Sequence, residues 1–160
     1  MDLNIYNINF VVMMFGRPIN VEYQANVERG IDTSGILTLD YGSFQCVCIA
    51  AKDCKAPVSA SIQGDKGCIY FTSAANAIED FKVIMNDAGP AKQMNADEGR
   101  VYDYNEGKHR MYHEFAEFVR MMDRKDFDKA EEMLTVSLIS MDIQTEARNK
   151  AGIVFAADRE

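Results

Sequence analysis

The sequence predicts an α+β fold in which one helix comes first, an open-faced, mostly antiparallel sheet of six to seven strands follows, and two helices end the chain. Three observations predict this order. Apolar residues recur at helical spacing over residues 2–15, alternate with polar residues in short runs over 21–104, and return to helical spacing over 109–149. Consecutive strands with short connections pair antiparallel, and few helices remain to cover the sheet, so one face is left for a partner.

The first helix is predicted over residues 2–15. Its apolar residues recur every three or four positions, at Ile5, Ile8, Val12 and Phe15. A second apolar stripe lies beside the first, at Tyr6, Phe10 and Met13. Gly16 and Pro18 end the helix. A helix that is apolar on most sides is expected inside a larger assembly, so we expect further protein to precede it.

Alternation of apolar and polar residues predicts the strands, and turns that contain glycine separate them. The predicted strands are 21–28, 36–41, 44–51, 57–63, 68–72, 78–84 and an edge strand at 101–104. Residues 30–35 are expected to form a turn, Gly42 and residues 64–67 to connect hairpins, and residues 86–100 to form a long loop.

Two helices are predicted at the end of the chain. The first covers residues 109–122 and has an apolar face made of Met111, Phe115, Phe118, Val119 and Met122. The second covers residues 128–149. Asp128 and Glu131 resemble a capping box at its start, and Gly152 stands where a glycine commonly ends a helix.

Composition limits the class of protein. The 160 residues are expected to form a single domain, and the net charge of −8 argues against nucleic acid or an anionic membrane as a partner. No run approaches the ~20 apolar residues of a membrane span, and the first residues do not resemble a signal peptide. The cysteines (Cys46, Cys48, Cys54 and Cys68) form no Cys-x-x-Cys pair and are expected to be reduced thiols of a cytoplasmic protein. Cys46 and Cys48 are two residues apart in an alternating run, so they are expected to share one face of a strand.

Few residues in the sequence indicate a catalytic, metal-binding or substrate-binding role. Asp2 and Tyr6 are four residues apart on the predicted first helix, where a phenol beside a carboxylate can relay a proton; equally, they can be a solvated acid and a packed ring. His109 and His113 have a spacing that can hold a metal on a helix, but no further Cys or His supplies a third ligand, so we predict no metal site. Lys108, His109 and Arg110 are either substrate-facing or simply a polar helix start.

Four segments together resemble the C-terminal domain of the glucose–fructose oxidoreductase/inositol dehydrogenase (Gfo/Idh/MocA) family. The segments are Asp2–Tyr6 with Phe15–Pro18, Gly30–Gly35 with the strand after it, Ile62–Ile69, and Glu114–Phe118 with Ser137–Arg148 and Ala151–Phe155. They resemble, in order, the family's helix after the cofactor domain, its first hairpin, a strand turn, and the terminal helices with a closing strand. The resemblance covers essentially the whole chain.

The resemblance implies the C-terminal substrate and dimerisation half of an oxidoreductase that uses NAD or NADP. The family's Rossmann domain brings the cofactor and a lysine that assists proton transfer, while the second domain supplies an acid/base residue four positions after an aspartate. Carried onto this chain, that residue is Tyr6, as the catalytic residue, and the aspartate is Asp2, as a substrate-binding residue. Asn4 stands where the family's tyrosine motif commonly has glycine.

No Gly-x-Gly-x-x-Gly turn occurs in the sequence, so no residue of this chain is expected to bind the cofactor. The resemblance therefore implies a chain that is inactive alone and whose partners are its own N-terminal Rossmann domain, a small-molecule substrate (a sugar, polyol or related hydroxy or oxo compound), and a second copy bound through the sheet face. The alternative is a non-catalytic dimeric binding or scaffold module of the same fold.

Overall fold

The computed structural model of the protein describes residues 1–86 and 95–159. Its helices and strands are α1 (Asn4–Phe15), β1 (Asn20–Glu28), β2 (Ile31–Asp40), β3 (Gln45–Ala51), β4 (Ala60–Gly64), β5 (Gly67–Phe71), β6 (Phe81–Met85), β7 (Arg100–Tyr102), α2 (Tyr112–Arg124) and α3 (Phe127–Lys150). The predicted α+β class, with one helix before the strands and two after them, is confirmed. Residues 87–94 of the predicted long loop lie outside the described residues, and Ala96–Glu98 form a short 3₁₀ helix.

The strands form two antiparallel sheets, one of β1, β2 and β3 and one of β4, β5, β6 and β7, each in sequence order. Residues 52–59 between β3 and β4 form no strand, and Pro57 in this segment lacks the N–H that a sheet requires. The chain divides into two compact units, residues 1–55 with 126–160 and residues 56–125. The expectation of a single domain over residues 1–160 stays a prediction.

In the first unit, α1 and α3 pack on one face of the three-stranded sheet. Leu37 and Leu39 of β2 are fully buried there, and their cross-strand partners on β3 are Cys48 and Cys46, as the shared face of the two cysteines predicts. Helix α1 contributes Ile8, Val11 and Val12 to this core, and α3 contributes Ile143 and Ala147. Alternation along β2 and β3 leaves the opposite face of the sheet outside the core.

In the second unit, β4 and β5 form the predicted hairpin around residues 64–67, with Gly64 opposite Gly67. The rings of Phe81 and Tyr102 face each other across β6 and β7, with centroids 5.5 Å apart. Helix α2 is amphipathic as predicted, but no residue of it is buried. No helix in the described ranges is long and apolar enough to cross a membrane.

The predicted turn over residues 30–35 is wrong, because β2 begins at Ile31. The turn consists of Arg29 and Gly30, whose φ values of 53° and 80° are both positive, as a two-residue hairpin turn requires. The β-branched residues Ile31 and Thr33 favour the extended strand, and Gly35, which suggested a turn, lies inside it.

Two further predictions, the capping box at the start of α3 and the closing strand after it, are wrong. The N-terminal cap is Asp126, whose side chain accepts a hydrogen bond from the Lys129 N–H at 3.0 Å, so the capping box at Asp128 and Glu131 is wrong. Gly152 ends the helix as predicted, with φ of 73°, and the Ile153 N–H returns to the Arg148 carbonyl at 3.1 Å. This turn takes the chain back along α3, so residues 151–155 form no closing strand.

Candidate functional site

A cavity of about 470 Å³ lies in the first unit, where the start of the chain meets β2, the end of β3 and the last turns of α3. Its volume falls within the range typical of small-molecule sites. The side chains of its wall that bear charges or strong hydrogen-bonding groups are Asp2, Asn4, Tyr23, Asp32, Thr33, Ser34, Lys52, Gln144, Thr145 and Arg148. Apolar side chains, among them Leu3, Ile31, Met141 and Phe155, also form the wall, so a ligand would meet both polar and apolar surface.

Asp2, the predicted substrate-binding residue, is part of the cavity wall. Its carboxylate forms an ion pair with the Lys52 ammonium, and this contact lowers the pKa of Asp2. Lys52 follows β3 directly, and its backbone N–H donates to the Thr33 carbonyl at 2.8 Å, which fixes where its side chain starts. The structure places Lys52 as the counter-ion of Asp2, and the substrate role of Asp2 stays a prediction.

Tyr6, the predicted catalytic residue, lies in the first turn of α1, and 47 % of its surface is exposed. The helix begins at Asn4, so Asp2 precedes it and the expectation that both residues share one helical face is wrong. Tyr6 is not among the residues of the cavity wall, whereas Asp2 is. The side chain of Tyr6 is thus about half exposed and outside the cavity wall, and its catalytic role stays a prediction.

Asn4 fixes the start of α1 against β3. Its side chain is 1 % exposed, and its Nδ2 lies 3.4 Å from the Cys48 carbonyl oxygen, to which it donates. The Asn7 Nδ2 donates to the Asn4 Oδ1 at 2.9 Å, so the buried amide is satisfied on both sides. Three asparagines, Asn4, Asn7 and Asn9, in the first half of a helix whose second half is apolar are the signal that could have identified this anchor. Asn4 holds the turn between Asp2 and Tyr6 against β3.

Tyr23 and Asp32 form the inner wall of the cavity. The Tyr23 hydroxyl donates to the Asp32 Oδ2 at 2.8 Å, and the Met1 amino group contacts the same oxygen. Burial raises the pKa of Tyr23, so its phenol remains protonated and acts as a donor at neutral pH. Alternation over residues 21–28 predicted the strand that carries Tyr23 but gave no sign of its hydroxyl partner. Such a contact between two strands depends on their register.

Arg148 closes the far side of the cavity. Its Nη1 donates to the Ile153 carbonyl at 2.9 Å and its Nη2 to the Asp158 Oδ1 at 2.8 Å, while Nη1 also contacts the Asp158 Oδ2. The Arg148 guanidinium holds the pKa of Asp158 at about 2. The guanidinium also lies 4.7 Å from the centre of the Phe155 ring. Sequence reasoning missed Arg148, because an arginine in the last turn of a helix is commonplace.

The other candidates lie in the second unit. His109 precedes α2, so it and His113 are not one turn apart on a helix, and the His109 Nδ1 accepts from the Met111 N–H at 3.2 Å. The Arg110 Nη1 lies 3.4 Å from the Asn76 carbonyl oxygen, and the Lys108 ammonium lies 4.7 Å from the Tyr112 ring centre. Within residues 1–86 and 95–159, no three His, Cys, Asp or Glu side chains converge as a metal site would need.

The chain is similar to known oxidoreductases. It is 28 % identical over 162 residues to scyllo-inositol 2-dehydrogenase (NADP⁺) IolU of Bacillus subtilis, with 99 % of this chain and 46 % of that protein covered. It is 27 % identical over 161 residues to the uncharacterized oxidoreductase YgjR of Escherichia coli, with 99 % and 45 % covered. The chain thus spans about half the length of the curated relatives it matches. No protein-family model matches it.

Solved structures share the fold. A crystal structure ascribed to an oxidoreductase of Klebsiella pneumoniae superimposes with a TM-score of 0.62 at 16 % identity, covering 99 % of this chain and 51 % of that one. A structure ascribed to the oxidoreductase YvaA of B. subtilis gives the same TM-score and identity, with 94 % and 48 % covered. Fold and relatives together give the class: an α+β chain that is similar to about half the length of proteins described as oxidoreductases. Within that class the chain resembles the C-terminal part of a Gfo/Idh/MocA family member, as its motifs predict.

Proposed function

We propose that this chain is the substrate-binding and subunit-contact half of an NAD(P)-dependent oxidoreductase that acts on a sugar, polyol or related hydroxy or oxo compound. The observation that carries the proposal is the match, over 99 % of the chain, to a protein named scyllo-inositol 2-dehydrogenase (NADP⁺). The cavity beside Asp2 supports it, because a polyhydroxylated ligand needs many donors and acceptors close together.

The described part of this chain does not fit a dinucleotide. A dinucleotide site needs a strand, a glycine-rich turn and a helix within a parallel βαβ unit. All strand pairs of both sheets are antiparallel, and Gly64–Gly67 connects two strands rather than a strand and a helix. In our proposal another part of the parent protein binds the cofactor, and the chain alone does not transfer hydride.

This chain contributes Tyr6 as the acid/base group. Its hydroxyl, on a side chain that is about half exposed, gives a proton to the carbonyl oxygen of the substrate on reduction and takes it back from the substrate hydroxyl on oxidation. Asp2 remains a carboxylate because Lys52 stabilises its charge, so it accepts a hydrogen bond from a second hydroxyl of the substrate. Asn4 keeps the backbone between the two residues fixed.

The outer face of the three-stranded sheet is proposed as the dimer interface. Ile36 and Ile49 are cross-strand partners on this face, and Val47 lies beside them; 44 %, 67 % and 61 % of their surfaces are exposed, respectively. Burying these side chains against the same face of a second copy removes apolar surface from water through a self-complementary contact. The same patch favours the alternative function, a dimeric binding or scaffold module without catalysis.

The test is to read the coding sequence immediately upstream of Met1 and to assay the protein it encodes. We expect an open frame that adds a glycine-rich cofactor half, and we expect the longer protein, but not this chain, to reduce NADP⁺ with a polyol such as scyllo-inositol. An in-frame stop codon just before Met1 would contradict the proposal and leave the scaffold module as the better account.

A further inference from the structure

The guanidinium of Arg148 is held by the chain itself. Arg148 is on α3, only 12 % of its side chain is exposed, and its two Nη atoms donate one hydrogen bond each to the two carboxylate oxygens of Asp158. An arginine fork and a carboxylate match in this way because both groups are planar and carry their hydrogen-bonding atoms in pairs. Arg148 is also part of the cavity wall, so this contact lies beside the space that a ligand would use.

Asp158 reaches Arg148 at the end of a short segment, residues 154–158, which we call the C-terminal strap. The residue before the strap, Ile153, is 2 % exposed and belongs to the core, whereas Val154 and Phe155 are 48 % and 45 % exposed. The Phe155 N–H donates to the Asp158 Oδ2 at 2.6 Å, and the Phe155 ring lies on the guanidinium. The contacts of the strap therefore centre on Arg148, and Ile153 would stay in place if the strap moved.

The charged side chains of the cavity wall all have partners within the chain, and Asp32 is paired with the Met1 amino group. The two cationic side chains of the wall are Lys52, paired with Asp2, and Arg148, paired with Asp158. Asp158 belongs to the exposed strap, and Asp2 to the fixed start of α1, so Asp158 is the acid that can be exchanged at lower cost. If Asp158 moves away, Arg148 keeps its bond to the Ile153 carbonyl and offers its remaining N–H groups to the cavity.

We propose that Arg148 is an anion-binding residue of this cavity and that it binds the carboxylate of a small ligand, such as a sugar acid, in place of the carboxylate of Asp158. The strap is then a displaceable cover that mimics the acidic group of the ligand. The exchange forms no covalent bond and moves no proton, since one carboxylate replaces another at the same guanidinium. The proposal concerns binding by this chain and does not depend on the proposed activity.

Titration calorimetry on this chain tests the proposal, with D-glucuronate as the probe and D-glucose as the neutral ligand of the same ring. In D158N the competing carboxylate is gone, so we expect glucuronate to bind about tenfold more tightly than in the parent chain, with no gain for glucose. The matched control is D142N, which removes an exposed Arg17–Asp142 pair and changes the net charge equally. We expect D142N to bind like the parent chain, and D158N/R148K to lose the gain because lysine has no fork.

Two further measurements separate carboxylate binding from phosphate binding and from a purely structural contact. Inorganic phosphate is titrated in parallel, and stronger binding of phosphate than of glucuronate to D158N would overturn the assignment to a carboxylate. Hydrogen exchange is measured on the unaltered chain, so it stands even if D158N does not fold. Saturating glucuronate should speed exchange of the Phe155 amide, because the acceptor Asp158 leaves. Equal affinities of D158N, D142N and the parent chain, or an unchanged Phe155 amide, would show a purely structural contact and overturn the proposal.

Discussion

The hydroxyl of Tyr23 donates to the Oδ2 of Asp32 at 2.8 Å across the β1–β2 hairpin. The contact depends on Gly35. In the register of the hairpin, Ala25 pairs with Gly35 and Tyr23 with Leu37, so the Tyr23 ring leans diagonally over the glycine. A Cβ at Gly35 would lie 2.5 Å from two ring carbons of Tyr23 and from its hydroxyl oxygen. The glycine therefore sets where the phenol meets the cavity.

Replacing Gly35 with alanine should displace the Tyr23 ring and break its bond to Asp32. We expect G35A to lose about 1–3 kcal/mol of unfolding free energy, as overpacked cores do, measured by urea denaturation. Gly64 provides the control, because a Cβ there meets only the Gly67 carbonyl oxygen at an ordinary 3.5 Å. G64A should stay within about 0.5 kcal/mol of the parent chain. A similar loss for both variants would mean that the close approach at Gly35 has no special cost.

The cysteines should differ in reactivity. Burial raises the pKa of the Cys48 thiol to about 12, so almost no reactive thiolate forms there at pH 8, whereas Cys54 is exposed. With iodoacetamide at pH 8, mass spectrometry of the folded chain should find Cys54 alkylated well before Cys48. In urea the difference should disappear. Alkylation of Cys48 at a rate comparable to Cys54 in the folded chain would argue against a buried Cys48.

A single substitution that introduces a charge tests the proposed dimer interface. I49E places a carboxylate on the exposed face of the three-stranded sheet, where a second copy would have to desolvate it. At tens of micromolar, light scattering should give twice the 18.0 kDa of the chain for the parent protein and the monomer mass for I49E. L138E, at an exposed leucine of α3, is the control and should remain dimeric. A monomeric parent chain would contradict the interface.

The Arg148–Asp158 pair should stabilise the fold in a pH-dependent way. Because the pKa of Asp158 falls from 3.8 to about 2 in the folded chain, the contribution is fully present above pH 3.8 and is lost as the pH falls through about 2. The melting temperature of D158N should therefore lie below that of the parent chain at pH 6, and the two should converge near pH 2. D142N should show a smaller difference at pH 6, since exposed pairs stabilise little. A D158N deficit that stays constant down to pH 2 would rule out the pair as its cause.

Much of the fold could be predicted because it depends on local pattern. Alternation identified β1 and the shared face of Cys46 and Cys48, and Gly16 with Pro18 marked the end of α1. Where two neighbouring residues are equally suited to one structural role, local pattern does not decide which of them the fold uses. Asp126 and Asp128 are both suitable caps, and the structure uses the one whose carboxylate reaches a free N–H of the first turn.

The candidate site was predicted only in part. Resemblance pointed to Asp2 and Tyr6, but the ion pair of Asp2 with Lys52 joins residues 50 positions apart. The contact of Arg148 with Asp158 likewise requires the chain to turn back at Gly152. Such pairs follow from the register and from the path of the chain, which periodicity does not specify.

The central claim is that this chain supplies the proton-transfer residue of an oxidoreductase, and the turnover of Y6F in the longer parent protein tests it most directly. The phenylalanine keeps the ring and removes the hydroxyl, and Y104F, at a tyrosine that is 68 % exposed in the second unit, is the control. We predict that Y6F lowers kcat by about 10²–10⁴-fold while Y104F leaves it unchanged. A Y6F enzyme with near-normal kcat would contradict the account.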